Sequence, residues 1–156
     1  SEQADFVLLA GDLFDEANRS LKAQLFLRKQ FLKLEESGIQ VYVIFGNHDH
    51  MGGEWTPIEW PDNVHVFSSA HIEEKSFYKN GRLAATIYGY SYPERSVFAN
   101  KAAEMKRSTG APFHIGMIHG RTSGGDLSGK HAIPPYEGNR RERVLSRQGG
   151  RERGVF

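Results

Sequence analysis

The stretch VYVIFGNHDH, residues 41–50, decides how this chain is read. Its first five residues are apolar or aromatic and run into Gly46. Asn47, His48, Asp49 and His50 follow at once, and each can ligate a metal, carry a proton or hydrogen-bond. A short, continuous apolar run is what a strand shows when both faces of its sheet are covered. IQVYVIF (39–45) is such a run, and so is ADFVLLA (4–10). Between them, RSLKAQLFLRKQFLKLEESG sets Leu21, Leu25, Leu27, Phe31 and Leu34 at three- and four-residue spacing. That periodicity predicts an amphipathic helix, with Asn18 or Ser20 capping its start and Gly38 at its left-handed end. Strand, helix and strand in so short a space predict a βαβ unit with parallel strands and a right-handed crossover.

The pattern then changes. EWTPIEWPDN (54–63) reads as an irregular loop and VHVF (64–67) as a short strand. Residues 72–92 read as a hairpin, because Asn80-Gly81 is a strong two-residue turn signal. Residues 94–108 are expected to be helical, TGAP to break that helix, and FHIGMIH (113–119) to be a further strand. From Gly120 onward no periodicity remains. The expected fold is an α/β sandwich, parallel early and antiparallel later.

Composition narrows the chemistry. With no cysteine in 156 residues, disulfides, thiolate-bound zinc and thiol catalysis are excluded, and a reducing cytoplasm fits. FVLLA and VYVIF are far too short to span a bilayer, so no membrane role is expected. No basic-then-apolar leader opens the chain. Residues 139–156 hold six Arg and two Glu, a net +4, which leaves −3 on the rest. A basic tail can bind nucleic acid. Its poverty in apolar residues favours instead a disordered or artefactual end.

Two strands end alike. AGDLFD places Asp12 just beyond the first and FGNHDH places Asn47 beyond the second. Ligands of parallel α/β sheets collect at the carboxyl ends of strands, so the two residues are expected at one edge. The strand at 113–119 ends at His119 and brings a third group. Oxygen and imidazole donors without thiolates suit Mn²⁺, Fe²⁺ or Zn²⁺. An aspartate can bridge two cations about 3.5–4 Å apart, which together hold the attacking and leaving oxygens of a phosphoryl group. His48, beside Asn47, is then available to protonate a departing alkoxide.

GDLFD followed by GNHD after a βαβ crossover resembles the calcineurin-like metallophosphoesterases, whose pattern includes GDxxD and GNH[DE]. NRSLKAQL, WPDNVHVF, FYKNG, YGYSYPERSV and APFHIGMIHG resemble the branch of DNA-repair exonucleases of SbcD type, the YhaO-like group in particular. The resemblance covers about residues 4–120. It implies a sandwich of two mixed β-sheets flanked by helices. It also implies two divalent metal ions, manganese preferred, with iron or zinc as alternatives. By the same resemblance Asp12 is the metal-bridging aspartate, Asn47 and His119 are ligands of the second metal, and His48 is the catalytic acid. Asp15 and Asp49 match supporting positions. From the residues themselves, Gly46 permits the tight exit from the strand, and His50 is read as a loop residue with substrate contact as the alternative. DNA is the implied substrate, with an SMC-like ATPase and a homodimer as implied partners.

The chain contains no Asp-x-His and no Gly-His, the motifs that open and close the family's site. The expectation is therefore a partial metallophosphoesterase domain over residues 1–138, incomplete at both ends, with residues 139–156 as its tail. Two other functions stay open: a phosphatase or nucleotide phosphodiesterase on small substrates, and a non-catalytic module lacking the first-metal ligands. Trp55 and Trp60 are read as pins for their loop, with base stacking as the alternative. His65, His71 and His114 are read as structural, Arg95 and Arg121 as solvated surface, and His131 stays unassigned.

Overall fold

The computed structural model describes residues 4–15, 20–53, 55–56, 58–122, 132–133 and 143–147. Strand β1 (Phe6–Ala10) leads to helix α1 (Leu21–Glu36), then to β2 (Gln40–Ile44) and β3 (Val64–Val66). These three strands form one sheet in the order β1-β2-β3, parallel throughout. The hairpin β4 (Glu73–Lys79) and β5 (Arg82–Gly89) opens a second sheet, joined by β6 (Phe113–His119) and β9 (Arg143–Arg147) in the order β4-β5-β6-β9. A short pair, β7 (Arg121–Thr122) and β8 (Ala132–Ile133), forms a third, two-stranded sheet.

The apolar run of β2 is continuous because each face has its own cover. Tyr42 and Ile44 face the second sheet and pack with Phe67, Phe77, Ala85, Ile87 and Met117. Val41, Val43 and Phe45 face the other way, against Phe31, Leu27 and Leu34 of α1. The layers are thus helix, parallel sheet, mixed sheet. Trp55 and Trp60 join the helix-side cluster, Trp55 edge-on to Phe14 and Trp60 edge-on to Phe31, so both pin their loop to the body.

Several expectations are corrected. Ser20 caps α1, its Oγ accepting from the Ala23 N–H, while Asn18 lies outside the described residues. Gly38 takes the expected positive φ of 73°. The core-facing stripe of α1 runs through Gln24, Leu27, Phe31 and Leu34, whereas Leu21 and Leu25 are exposed, rotated away from that face. The helix expected over residues 94–108 shrinks to α2, Lys101–Glu104. Asn100 caps it and Met105 turns extended; it buries only Ala102, too little apolar surface to hold a longer helix. The later sheet is antiparallel only between β4 and β5, since β5, β6 and β9 run parallel. Within the segment read as an Arg-rich tail, Arg143–Arg147 pair with β6 as a strand. The turn at Asn80-Gly81 is as expected, with φ of 53° and 73°.

Candidate metal centre

β1, β2 and β6 end on one side of the sandwich, and the chain is shaped there for close approach. Gly11 and Asp12 take φ of 81° and 53°, left-handed values that Gly adopts freely and Asp tolerates. A Cβ on Gly11 would stand 2.5 Å from His119 Nδ1. One on Gly46 would stand 2.5 Å from Asp12 Oδ1 and 2.9 Å from His119 Cδ2. Both glycines leave their side-chain space to the functional groups of another strand end.

Asp49 ties the two loops together. Its carboxylate is fully buried. It accepts from the backbone N–H groups of Gly46 (2.5 Å), Leu13 (2.6 Å), Asp12 (3.2 Å) and Phe14 (3.4 Å). Burial pushes its pKa up, and Asp12 adds to that, while the N–H donors oppose it. Asp12 in turn accepts from the His48 N–H at 3.1 Å. GDLFD and GNHDH are therefore one hydrogen-bonded unit.

His119 reaches this unit from the second sheet. Its Nδ1 lies 3.1 Å from the Ala10 carbonyl oxygen, which can only accept, so Nδ1 carries the hydrogen. Its Nε2 faces Asn47 Oδ1 at 3.0 Å and Asp12 Oδ2 at 3.2 Å. Both oxygens offer lone pairs, so a second ring proton or a cation has to sit among the three atoms. Burial lowers the His119 pKa, but the hydrogen bond and charge of Asp12 outweigh it and the net direction is up. Burial raises that of Asp12, and His119 and His48 bring it down overall. Asn47 and His119 are both buried. A pocket that so favours positive charge could hold a divalent cation on Asp12, Asn47 and His119, a mixed oxygen and nitrogen set of borderline softness. Among the described residues no three His, Cys, Asp or Glu side chains gather to hold a metal; the third donor here is an amide oxygen.

The remaining groups lie around this point. The His48 side chain is 41% exposed, with Asp15 Oδ1 4.0 Å from its Nδ1. The backbone oxygen of His50 accepts from Trp55 Nε1 at 3.0 Å, and its Nδ1 is buried without a hydrogen-bond partner. His65 bonds Gln40, and His114 bonds Tyr88 and the Ala111 carbonyl; both sit in the body of the fold. His131 and the side chain of Arg121 lie outside the described residues. Sequence reasoning missed Tyr92, which follows Ser91. Both are buried just beyond the end of β5, and the Tyr92 hydroxyl bonds the His119 carbonyl at 2.9 Å. Burial, then Asp12 and Tyr90, push that hydroxyl up to about 12, so it remains a donor. Their only signal is YGYSY, hydroxyl-bearing residues clustered where an apolar strand ends.

Oxygen and nitrogen donors gathered at the strand ends of paired sheets agree with a metallophosphoesterase fold. The calcineurin-like phosphoesterase family matches residues 1–145, and the chain belongs to that family. It is 71% identical over 135 residues to the uncharacterized metallophosphoesterase YhaO of Bacillus subtilis strain 168, covering 86% of this chain and 32% of that protein. It is 42% identical over 45 residues to the DNA double-strand break repair protein Mre11 of Methanocaldococcus jannaschii, covering 29% of this chain and 12% of that one. The chain thus spans about a third of the length of YhaO and less of Mre11. Among the described residues, no helix is long and apolar enough to cross a membrane.

Proposed function

We propose that the protein is a metal-dependent phosphodiesterase acting on DNA, an exonuclease or endonuclease of the repair type. The observation that carries the metal chemistry is the meeting of Asp12 Oδ2, Asn47 Oδ1 and His119 Nε2. The DNA assignment is supported by the short similarity to a protein named for double-strand break repair. It is also supported by the resemblance of the wording around both motifs to DNA-repair exonucleases.

In this reading Asp12, Asn47 and His119 hold a divalent cation, Mn²⁺ by preference, with Fe²⁺ or Zn²⁺ as alternatives, in a site completed by a second ion. Bound ions of this kind supply a water of lowered pKa and offset phosphate charge. His48 stands at the exposed mouth and gives its proton to the leaving oxygen, with Asp15 orienting its ring. Asp49 and Gly46 hold the loop that carries Asn47 and His48 in reach of Asp12. His50 anchors the Trp55 loop. A homodimer is part of the reading and is supported by Leu21, Leu25 and Phe26, exposed on one side of α1. An SMC-like ATPase partner and a cytoplasmic setting follow from the resemblance.

The test uses the full-length protein. Elemental analysis for bound metal is paired with Mn²⁺-dependent hydrolysis of double-stranded DNA, a nucleotide and a phosphomonoester. The expected outcome is bound metal and Mn²⁺-dependent DNA hydrolysis, with metal retention weakened in Asn47→Ala. Turnover of the small substrates alone overturns the DNA assignment. Absence of both metal and phosphoester hydrolysis overturns the enzyme.

A further inference from the structure

The candidate centre draws on both sheets. Asp12, Asn47, His48 and Asp49 follow strands of the first, and His119 ends a strand of the second. Its geometry therefore depends on how the sheets are held at that edge, and one residue touches both halves. The Tyr92 N–H donates to the Phe45 carbonyl at 2.9 Å, just before Gly46. The Tyr92 carbonyl accepts from the Met51 N–H at 2.8 Å, just after His50. Its main chain thus brackets the five residues Gly46 to His50 on both sides. Its side chain turns to the other half: the hydroxyl donates to the His119 carbonyl at 2.9 Å, and the ring stands edge-on to the imidazole at 5.6 Å. Ser91 continues the tie without touching His119. Its Oγ accepts from the Phe45 N–H at 3.1 Å and donates to the Phe67 carbonyl at 2.7 Å.

We propose that Tyr92 is a positioning residue of this centre, setting His119 against the Asn47 loop so that Nε2 meets the oxygens of Asp12 and Asn47. The inference rests on the reading of that site as a metal centre. Tyr92 acts by fixing the main chain and ring that carry one of the three donor atoms. The contact of His119 Nδ1 with the Ala10 carbonyl sets the ring's tautomer. The hydroxyl of Tyr92 sets where the ring is mounted.

Tyr92→Phe in the full-length protein keeps the ring and both main-chain bonds and removes only the hydroxyl. Ser91→Ala serves as comparator, being likewise buried and one residue away. Mn²⁺ affinity is measured by calorimetry, turnover as a function of Mn²⁺ concentration, and the His119 imidazole signals by NMR in metal-free protein. For Tyr92→Phe the expected result is about tenfold weaker Mn²⁺ binding, the scale seen when a supporting partner of a ligand is lost. Turnover at saturating Mn²⁺ should return to within about twofold of wild type, and the His119 signals should shift. Ser91→Ala should melt earlier with unchanged Mn²⁺ affinity. Unchanged affinity and unshifted His119 signals in Tyr92→Phe, or equal losses of affinity in both variants, overturn the proposal while leaving the metal centre standing. A wild-type protein that binds no Mn²⁺ overturns both.

Discussion

The two ends of the sandwich use polar groups in opposite ways. At the amino ends of β1 and β2 the polar contacts are matched pairs. Gln40 Oε1 meets His65 Nε2 at 2.7 Å, the Tyr42 hydroxyl donates to the Ser76 carbonyl at 3.3 Å, and Lys79 pairs with Asp5 at 2.6 Å. At the carboxyl ends, acceptors face one another across strands, and a proton or cation is required to reconcile them. The same sheet thus pairs its polar groups at one end and gathers donor atoms around one point at the other. Proteins tolerate such local conflict where function requires it, provided that surrounding structure holds it in place.

The sharpest way to probe the difference is His48, whose side chain is not one of the three facing donors. His48→Ala is expected to lower turnover by about 10²–10⁴-fold, the usual contribution of a general acid. Metal content by elemental analysis should stay that of wild type. Loss of metal in this variant would make His48 a ligand. The next largest effect belongs to Asp49, the acceptor for four backbone N–H groups. Asp49→Ala leaves all four unpaired, those of Gly46 and Phe14 in buried positions, and is expected to cost about 3 kcal/mol or more in urea unfolding. Breaking the Gln40–His65 pair at the other end removes one neutral bond, worth about 1 kcal/mol. If the two changes cost the same, the site end is not held as described.

Much of the site end is legible in the amino-acid sequence. Asp12, Asn47, His48 and Asp49 sit in short loops that directly follow apolar runs, so the βαβ pattern alone brings them together. His119 is legible for the same reason, as the last residue of a strand. The mount is not. Tyr92 acts through partners at other strand ends, Phe45 and His119, and no local period records which strand end will lie beside which. The α1 stripe shows the same limit on a smaller scale. Leu21 and Leu25 fit the helical period as well as Leu27 does, and only the docked sheet selects Gln24 over them. The α2 region departs furthest, because propensity without an apolar face does not sustain a helix.

The smallest expected effect is at the amino end, and its sign is fixed by His65. Burial, and then the charge of Lys75, disfavour its protonated form, so its folded pKa lies below the ordinary 6.5. Between those two values the unfolded chain binds more protons than the folded one. The neutral ring's contribution to stability is then complete above about 6.5 and is lost as pH falls towards the folded value. His65→Gln removes this titration while keeping a polar side chain near Gln40. Urea midpoints at pH 7.5 and pH 5 should therefore lie closer together in the variant than in wild type. Mn²⁺ affinity at pH 7.5 should be the same in both, because His65 meets Gln40 and the Tyr42 ring rather than any group at the carboxyl end. A change in metal affinity would mean that the ends are coupled through β2, and that the amino end helps to shape the carboxyl end.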